Sequence, residues 1–118
     1  MIPHSLTFLA ENGQLFDWWL ADPQTGAPII NATVTATLYA NRSRFDPDAS
    51  PGTPVPNATG LSLTYQGNDT NGARYQVLIG AAFDPAFGGP YVMVIDASAP
   101  LYQSQHWEIP AVVVPRST

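Results

Sequence analysis

Apolar and polar residues alternate along this chain in short runs, and clusters of Pro, Gly, Asn and Asp separate the runs. No stretch holds the apolar period of a helix for more than two turns. The clearest alternation is ATVTATLY (32–39), with Val34, Ala36 and Leu38 on one face and Thr33, Thr35 and Thr37 on the other. Successive side chains of a strand point to opposite faces, so the aliphatic set predicts a core face and the threonines a hydrated one. The same reading predicts strands over SLTFLA (5–10), QLFDWWLA (14–21), LSLTY (61–65), ARYQVLIG (73–80), YVMVIDA (91–97) and QHWEIPAVVV (105–114). Leu61, Leu63 and Tyr65 are expected to point inward, as are Tyr75, Val77 and Ile79. YVMVIDA is apolar on both faces, which predicts a central strand covered on both sides. Pro110 cannot donate to a ladder, so its strand is expected at an edge or bulged there.

The segment NRSRFDPDASPGTPVPNATG (41–60) holds four of the twelve prolines. It is too long for a hairpin loop, and Pro and Asp interrupt every apolar period in it. Residues 41–56 are therefore expected to form a contact or mobile surface and to stay out of the core. QGNDTNG (66–72) reads as a turn and AAFDPAFGGP (81–90) as a second irregular loop. About seven short strands in one 118-residue chain predict an all-β fold, an antiparallel β-sandwich. Its expected core includes Val34, Leu38, Leu63, Tyr75, Val77, Ile95 and Trp107. Residues 1–13 are expected to be an N-terminal arm or first strand, and 14–118 a single domain.

LFDWWLAD (15–22) sets two tryptophans side by side in the second strand, so only one of them can face the core. Phe16, Trp18 and Leu20 are apolar throughout, whereas Leu15, Asp17 and Trp19 are interrupted by a charge. The first set is expected inside and Trp19 outside, with Leu15 nearby and Asp17 in water or paired. The alternatives are an MIPHSLTFLA arm folded back over Trp19, or a bulge that turns it inward. Large aromatics anchor protein contacts, which makes Trp19 and Leu15 candidate interface residues. The two long loops add Arg42, Arg44 and Phe45, and Phe83 and Phe87.

Composition then narrows the chemistry. With no cysteine, disulfides and thiolate metal sites are excluded. The net charge is −5, and the four cations are Arg42, Arg44, Arg74 and Arg116, with no basic cluster to supply the electrostatic term of nucleic-acid binding. No stretch approaches the roughly 20 apolar residues of a membrane helix, and the N-terminus lacks a basic, uninterrupted signal pattern. Cytosolic synthesis and assembly are therefore expected. The N-x-S/T triplets at Asn31, Asn41, Asn57 and Asn68 are read as products of Thr-rich strands and Asn-rich turns, not as modified sites.

The two histidines, His4 and His106, are isolated from any nucleophile in sequence, and most acids fall in turns. Asp17 and Asp96 are the two acids inside strands. NDTNG (68–72) has part of a calcium-loop pattern but lacks its first ligand and its closing glutamate, and reads as a turn. Asp46 and Asp48 are too few oxygen ligands for a metal. No catalytic residue, cofactor or metal is expected, and an enzyme is the poorest of the function classes.

Three stretches together resemble a known family. LADPQTGAPIINATVTATLY, VPNATGLSLTYQGNDTNGARYQVLIGA and GGPYVMVIDAS…QHWEIPAVVVPR are similar to the opening, middle hairpin and closing strands of small immunoglobulin-like β-sandwich proteins of tailed-bacteriophage virions and prophages. The TG-x-P-I-x-x-A-x-V element is shared with transthyretin-like sandwiches. The likeness covers about residues 20 to 116, while the proline-rich loop and the N-terminal arm depart from it. It implies an immunoglobulin-like or transthyretin-like sandwich and a structural role, first as a capsid decoration (cement) protein on the major capsid or another virion protein. It also implies a homo-oligomer or symmetric array, made and assembled in the host cytoplasm, with no nucleic-acid or membrane partner. The alternatives are a head–tail or tail component, or a carbohydrate- or receptor-binding adhesion module, for which Trp19 and the Tyr-bearing loops speak.

Overall fold

The computed structural model describes residues 6–9, 13–42, 48, 51–80 and 91–114. Its eight strands are β1 (Leu6–Leu9), β2 (Gln14–Leu20), β3 (Thr33–Ala40), β4 (Thr53–Pro54), β5 (Leu61–Asp69), β6 (Gly72–Ile79), β7 (Tyr91–Ser98) and β8 (Gln105–Val114). The fold is all-β, and the described residues contain no helix. The strands follow one another in space as β1-β8-β7-β3-β5-β6-β2, with β4 added to β3. The sheet is nearly closed into a barrel.

Strand β5 makes the curvature possible. Leu61–Leu63 pair with β3, and from Thr64 onward the strand pairs with β6. A bulge between Tyr65 and Gly67 bends it at that transfer, and Gly67 has a φ of 121°. The expected turn at 66–72 is correspondingly shorter, because the strand runs on to Asp69. Tyr65, expected inward, is 38% exposed at the start of the bend, and its ring lies 5.7 Å from that of Tyr75.

The pairings are antiparallel except one. Strand β1 runs parallel to β8, from Leu6 opposite Ala111 to Leu9 opposite Val114. A parallel pair needs a long crossover, and here the connection is most of the chain. A wholly antiparallel fold, as alternation suggested, is therefore corrected at this pair, because strand spacing carries no information on how the chain's two ends meet.

The interior collects the inward faces of every long strand. Val34, Leu38, Leu63, Tyr75 and Ile95 are buried there as expected, together with Phe8, Phe16, Trp18, Leu20, Ile79 and Met93. Val77 and Trp107 are only partly buried and pack against this core from its margin. Strand β7 is buried on both faces from Tyr91 to Ile95, and lies between β3 and β8. The Tyr75 hydroxyl donates to the Ile29 carbonyl (2.7 Å) and accepts from the Ala32 amide (3.2 Å), which ties the β2–β3 connection to β6.

Part of the proline-rich segment belongs to the core, against expectation. Val55 is 3% exposed and Ala58 fully buried. The Val55 amide donates to Leu38 (2.8 Å), and the Leu38 amide donates to Ala58 (2.9 Å). The flanking prolines break the strand period around Val55, but backbone bonds to β3 bring the isolated apolar side chain inward. The earlier part of that segment, 43–47 and 49–50, lies outside the described residues, as does the 81–90 loop.

Candidate functional site

The sheet's two ends, β1 and β2, are consecutive in sequence, and aromatic side chains bridge the seam beside them. The Phe8 and Phe16 rings lie 6.0 Å apart, and Trp18 meets Trp107 of β8 edge to face at 5.2 Å. Strand β1 has four residues and pairs with β8 from Ala111 onward. Among the described residues, Gln105–Pro110 therefore has β7 on one side and no strand on the other. Pro110 sits at the end of this unpaired stretch, which accounts for its edge-like sequence signal.

An open cleft of about 980 Å³ lies at this end of the molecule. One wall is Trp19 with the turn at 21–24, the other is residues 101–107, and Asn71 of the β5–β6 turn contributes as well. A smaller hollow of about 290 Å³ shares Ser104, Gln105 and His106 with it. Leu101 in the β7–β8 turn has a φ of 70° and a fully exposed side chain. A left-handed conformation costs a non-glycine residue roughly 1–2 kcal/mol, so the turn places this leucine at the rim at some expense of stability.

The parity argument for β2 holds. Phe16, Trp18 and Leu20 are buried, and Leu15, Asp17 and Trp19 lie on the outer face. Trp19 is half-buried, and its indole Nε1–H donates to Asp69 Oδ2 at 2.7 Å. Asp69 Oδ1 also accepts from the Asn71 amide, and both bonds hold its carboxyl below the usual range, the Trp19 bond contributing most. NDTNG thus acts as a turn that also fixes an aromatic ring. Asp17 accepts from Gln76 Nε2 at 2.8 Å. Leu15 and its cross-strand partner Leu78 are 61% and 62% exposed, forming an apolar pair on the outer face of β2–β6.

A chain of ionisable groups runs over the outer face of β7–β8. His106 Nδ1 lies 2.6 Å from Asp96 Oδ1, and its Nε2 lies 3.0 Å from Glu108 Oε2. Glu108 also accepts two bonds from Arg42, at 2.8 and 3.2 Å. Hydrogen bonds that His106 donates to Glu108 and then Asp96 push its pKa up. The Arg42 guanidinium, helped by His106, holds Glu108 down at about 2. Arg42 further donates to the Pro51 carbonyl and lies 4.9 Å from the Tyr39 ring centroid. A histidine gripped at both nitrogens by carboxylates is stabilised as an imidazolium, a structural cation and not a free base.

The structure thus brings Leu15 and Trp19 to one outer face, and turns Arg42 inward to an internal partner. Arg44, Phe45, Phe83, Phe87 and His4 lie outside the described residues. No group of three His, Asp or Glu side chains among the described residues could hold a metal ion.

No family model matches the chain, and no curated protein sequence matches it. Three features were missed by sequence reasoning: the Trp19–Asp69 bond, Tyr102 at the cleft, and the His106 ion chain. His106 and Glu108 are two apart and hence on one strand face, a signal that was there to be read. Asp96 and Arg42 join them only through strand register and the course of the chain after β3.

Proposed function

We propose that this chain is a non-enzymatic structural protein of a tailed-phage virion, a capsid decoration protein with an immunoglobulin-like sandwich ancestry. The observation that carries the reading is the Leu15–Leu78 pair, two directly opposed leucines exposed on a regular sheet face, the same face of β2 that carries Trp19. Leaving such side chains about three-fifths exposed forgoes roughly 1–2 kcal/mol each, a term recovered when the face packs on another subunit. Repetition over a symmetric shell multiplies that gain. The engagement of both His106 nitrogens and of Arg42 within the chain supports a role without catalysis. The resemblance of the three sequence stretches to virion sandwich proteins selects the virion among possible assemblies.

The test is Leu15→Ser with Leu78→Ser. The pair of substitutions should leave the monomer's melting temperature nearly unchanged and weaken self-association, or attachment to capsids of a phage encoding the chain, both read by analytical ultracentrifugation. Unchanged association and attachment would refute this surface and the role built on it.

A further inference from the structure

We propose that the open end of the barrel seam is a binding cleft for a neutral saccharide chain. This site lies at the Trp19 end of β2, with the bonded Asp17–Gln76 pair between it and the Leu15–Leu78 pair, and does not rest on the assembly reading.

The first observation is an excess of uncommitted hydrogen-bonding groups. The side chains of Gln24, Asn71, Gln103, Ser104 and Gln105 all line the cleft, and none makes a hydrogen bond among the described residues. Outside the cleft some amides are tied down, as Gln76 is to Asp17 and Gln66 to the Thr64 carbonyl, and the unbonded ones do not converge on one cleft. Each free amide offers donors and an acceptor, and sugar hydroxyls require both. These groups come from three segments around the cleft, the turn after β2, the β5–β6 turn and the β7–β8 connection, so they surround a ligand instead of following one strand.

The second observation is the aromatic content. Trp19, Tyr102 and Trp107 line the same cleft. The bond to Asp69 fixes Trp19 in advance, and the Trp18 ring braces Trp107, so little ordering is left to be done on binding. Flat apolar rings beside amides match the alternation of C–H faces and hydroxyl edges on a pyranose.

Charge selects a neutral ligand. The described lining contains no Arg or Lys; its charge-bearing groups near neutral pH are Asp22 and His106, and His106 is already neutralised by two carboxylates. Phosphates and acidic sugars would find no counter-ion. A purely apolar ligand would strip water from the amides without replacing their bonds, which is unfavourable. An extended peptide paired with Gln105–Ile109, which among the described residues has a strand on one side only, would leave the amides of the opposite wall unused.

The experiment uses the full chain on an array of neutral and acidic glycans, followed by titration with neutral hexasaccharides of glucose, mannose, galactose and N-acetylglucosamine, monitored by NMR. At least one neutral class should bind and shift the Trp19 and Trp107 indole N–H signals together with the Asn71 and Gln105 side-chain amides. Trp19→Ala with Tyr102→Ala should weaken binding about tenfold or more, whereas Leu15→Ser with Leu78→Ser should bind as the native chain. If the aromatic double variant loses its fold, Asn71→Ala with Gln103→Ala serves the same purpose. Absence of binding across the array, binding confined to acidic glycans, or binding that survives these variants would each overturn the proposal. So would capture of extended peptides at β8 without any glycan binding.

Discussion

Substituting the adjacent tryptophans one at a time should produce opposite outcomes. Trp18 is 1% exposed, enclosed by the Phe16 and Trp107 rings. Truncating so large a buried side chain costs about 3–5 kcal/mol, a large fraction of the ~5–15 kcal/mol that holds a domain folded. At a urea dependence of ~1.5 kcal/mol per molar, Trp18→Ala should lower the midpoint by about 2–3 M. Trp19 is half-buried on the other face, with one hydrogen bond to an exposed carboxylate. Its truncation should cost about 1–2 kcal/mol, or roughly 1 M. Trp18→Phe adds a finer test, because the Trp18 indole Nε1–H is buried without a partner among the described residues. Phenylalanine leaves a small void but removes a donor whose desolvation costs ~1–3 kcal/mol, so the two effects nearly cancel. Far-UV circular dichroism is the proper readout, since each variant removes a fluorophore. If Trp19→Ala destabilised as much as Trp18→Ala, the strand would be displaced by one residue and every inward and outward assignment on β2 would reverse.

Two further outcomes follow from the outer face and from the proline-rich segment. His106 has a raised folded pKa, so its stabilisation is complete below its unfolded pKa of ~6.5 and is lost as pH rises through the folded value; Glu108, held at about 2, contributes above its unfolded pKa and is lost as pH falls through about 2. Stability should therefore be greatest between the unfolded carboxylate and imidazole ranges, and His106→Gln should flatten the alkaline limb of a melting-temperature profile; an unaltered limb would contradict the ion chain. Val55→Ala should cost about 1–3 kcal/mol in urea unfolding, as for a core valine, where a surface loop residue would cost almost nothing.

Period-two alternation alone determined that the chain is all-β and where its long strands lie. It also placed Phe16, Trp18 and Leu20 inside and Trp19 outside, because a strand's parity is a local covalent property that survives any arrangement of neighbours. Tertiary structure decided everything that depends on which strands meet. A wholly antiparallel fold followed from strand spacing, but the parallel β1–β8 pair joins the two ends of the chain, which no local pattern encodes. Val55 enters the core through backbone bonds to Leu38, although its neighbours in sequence read as loop. His106 gains a second carboxylate from Asp96 only because β7 and β8 align those residues side by side. The cleft has the same origin: its lining is assembled from turns distant in sequence that only the strand order brings together. Local sequence fixes which way a side chain points, and the long-range pairing of strands fixes what it meets there.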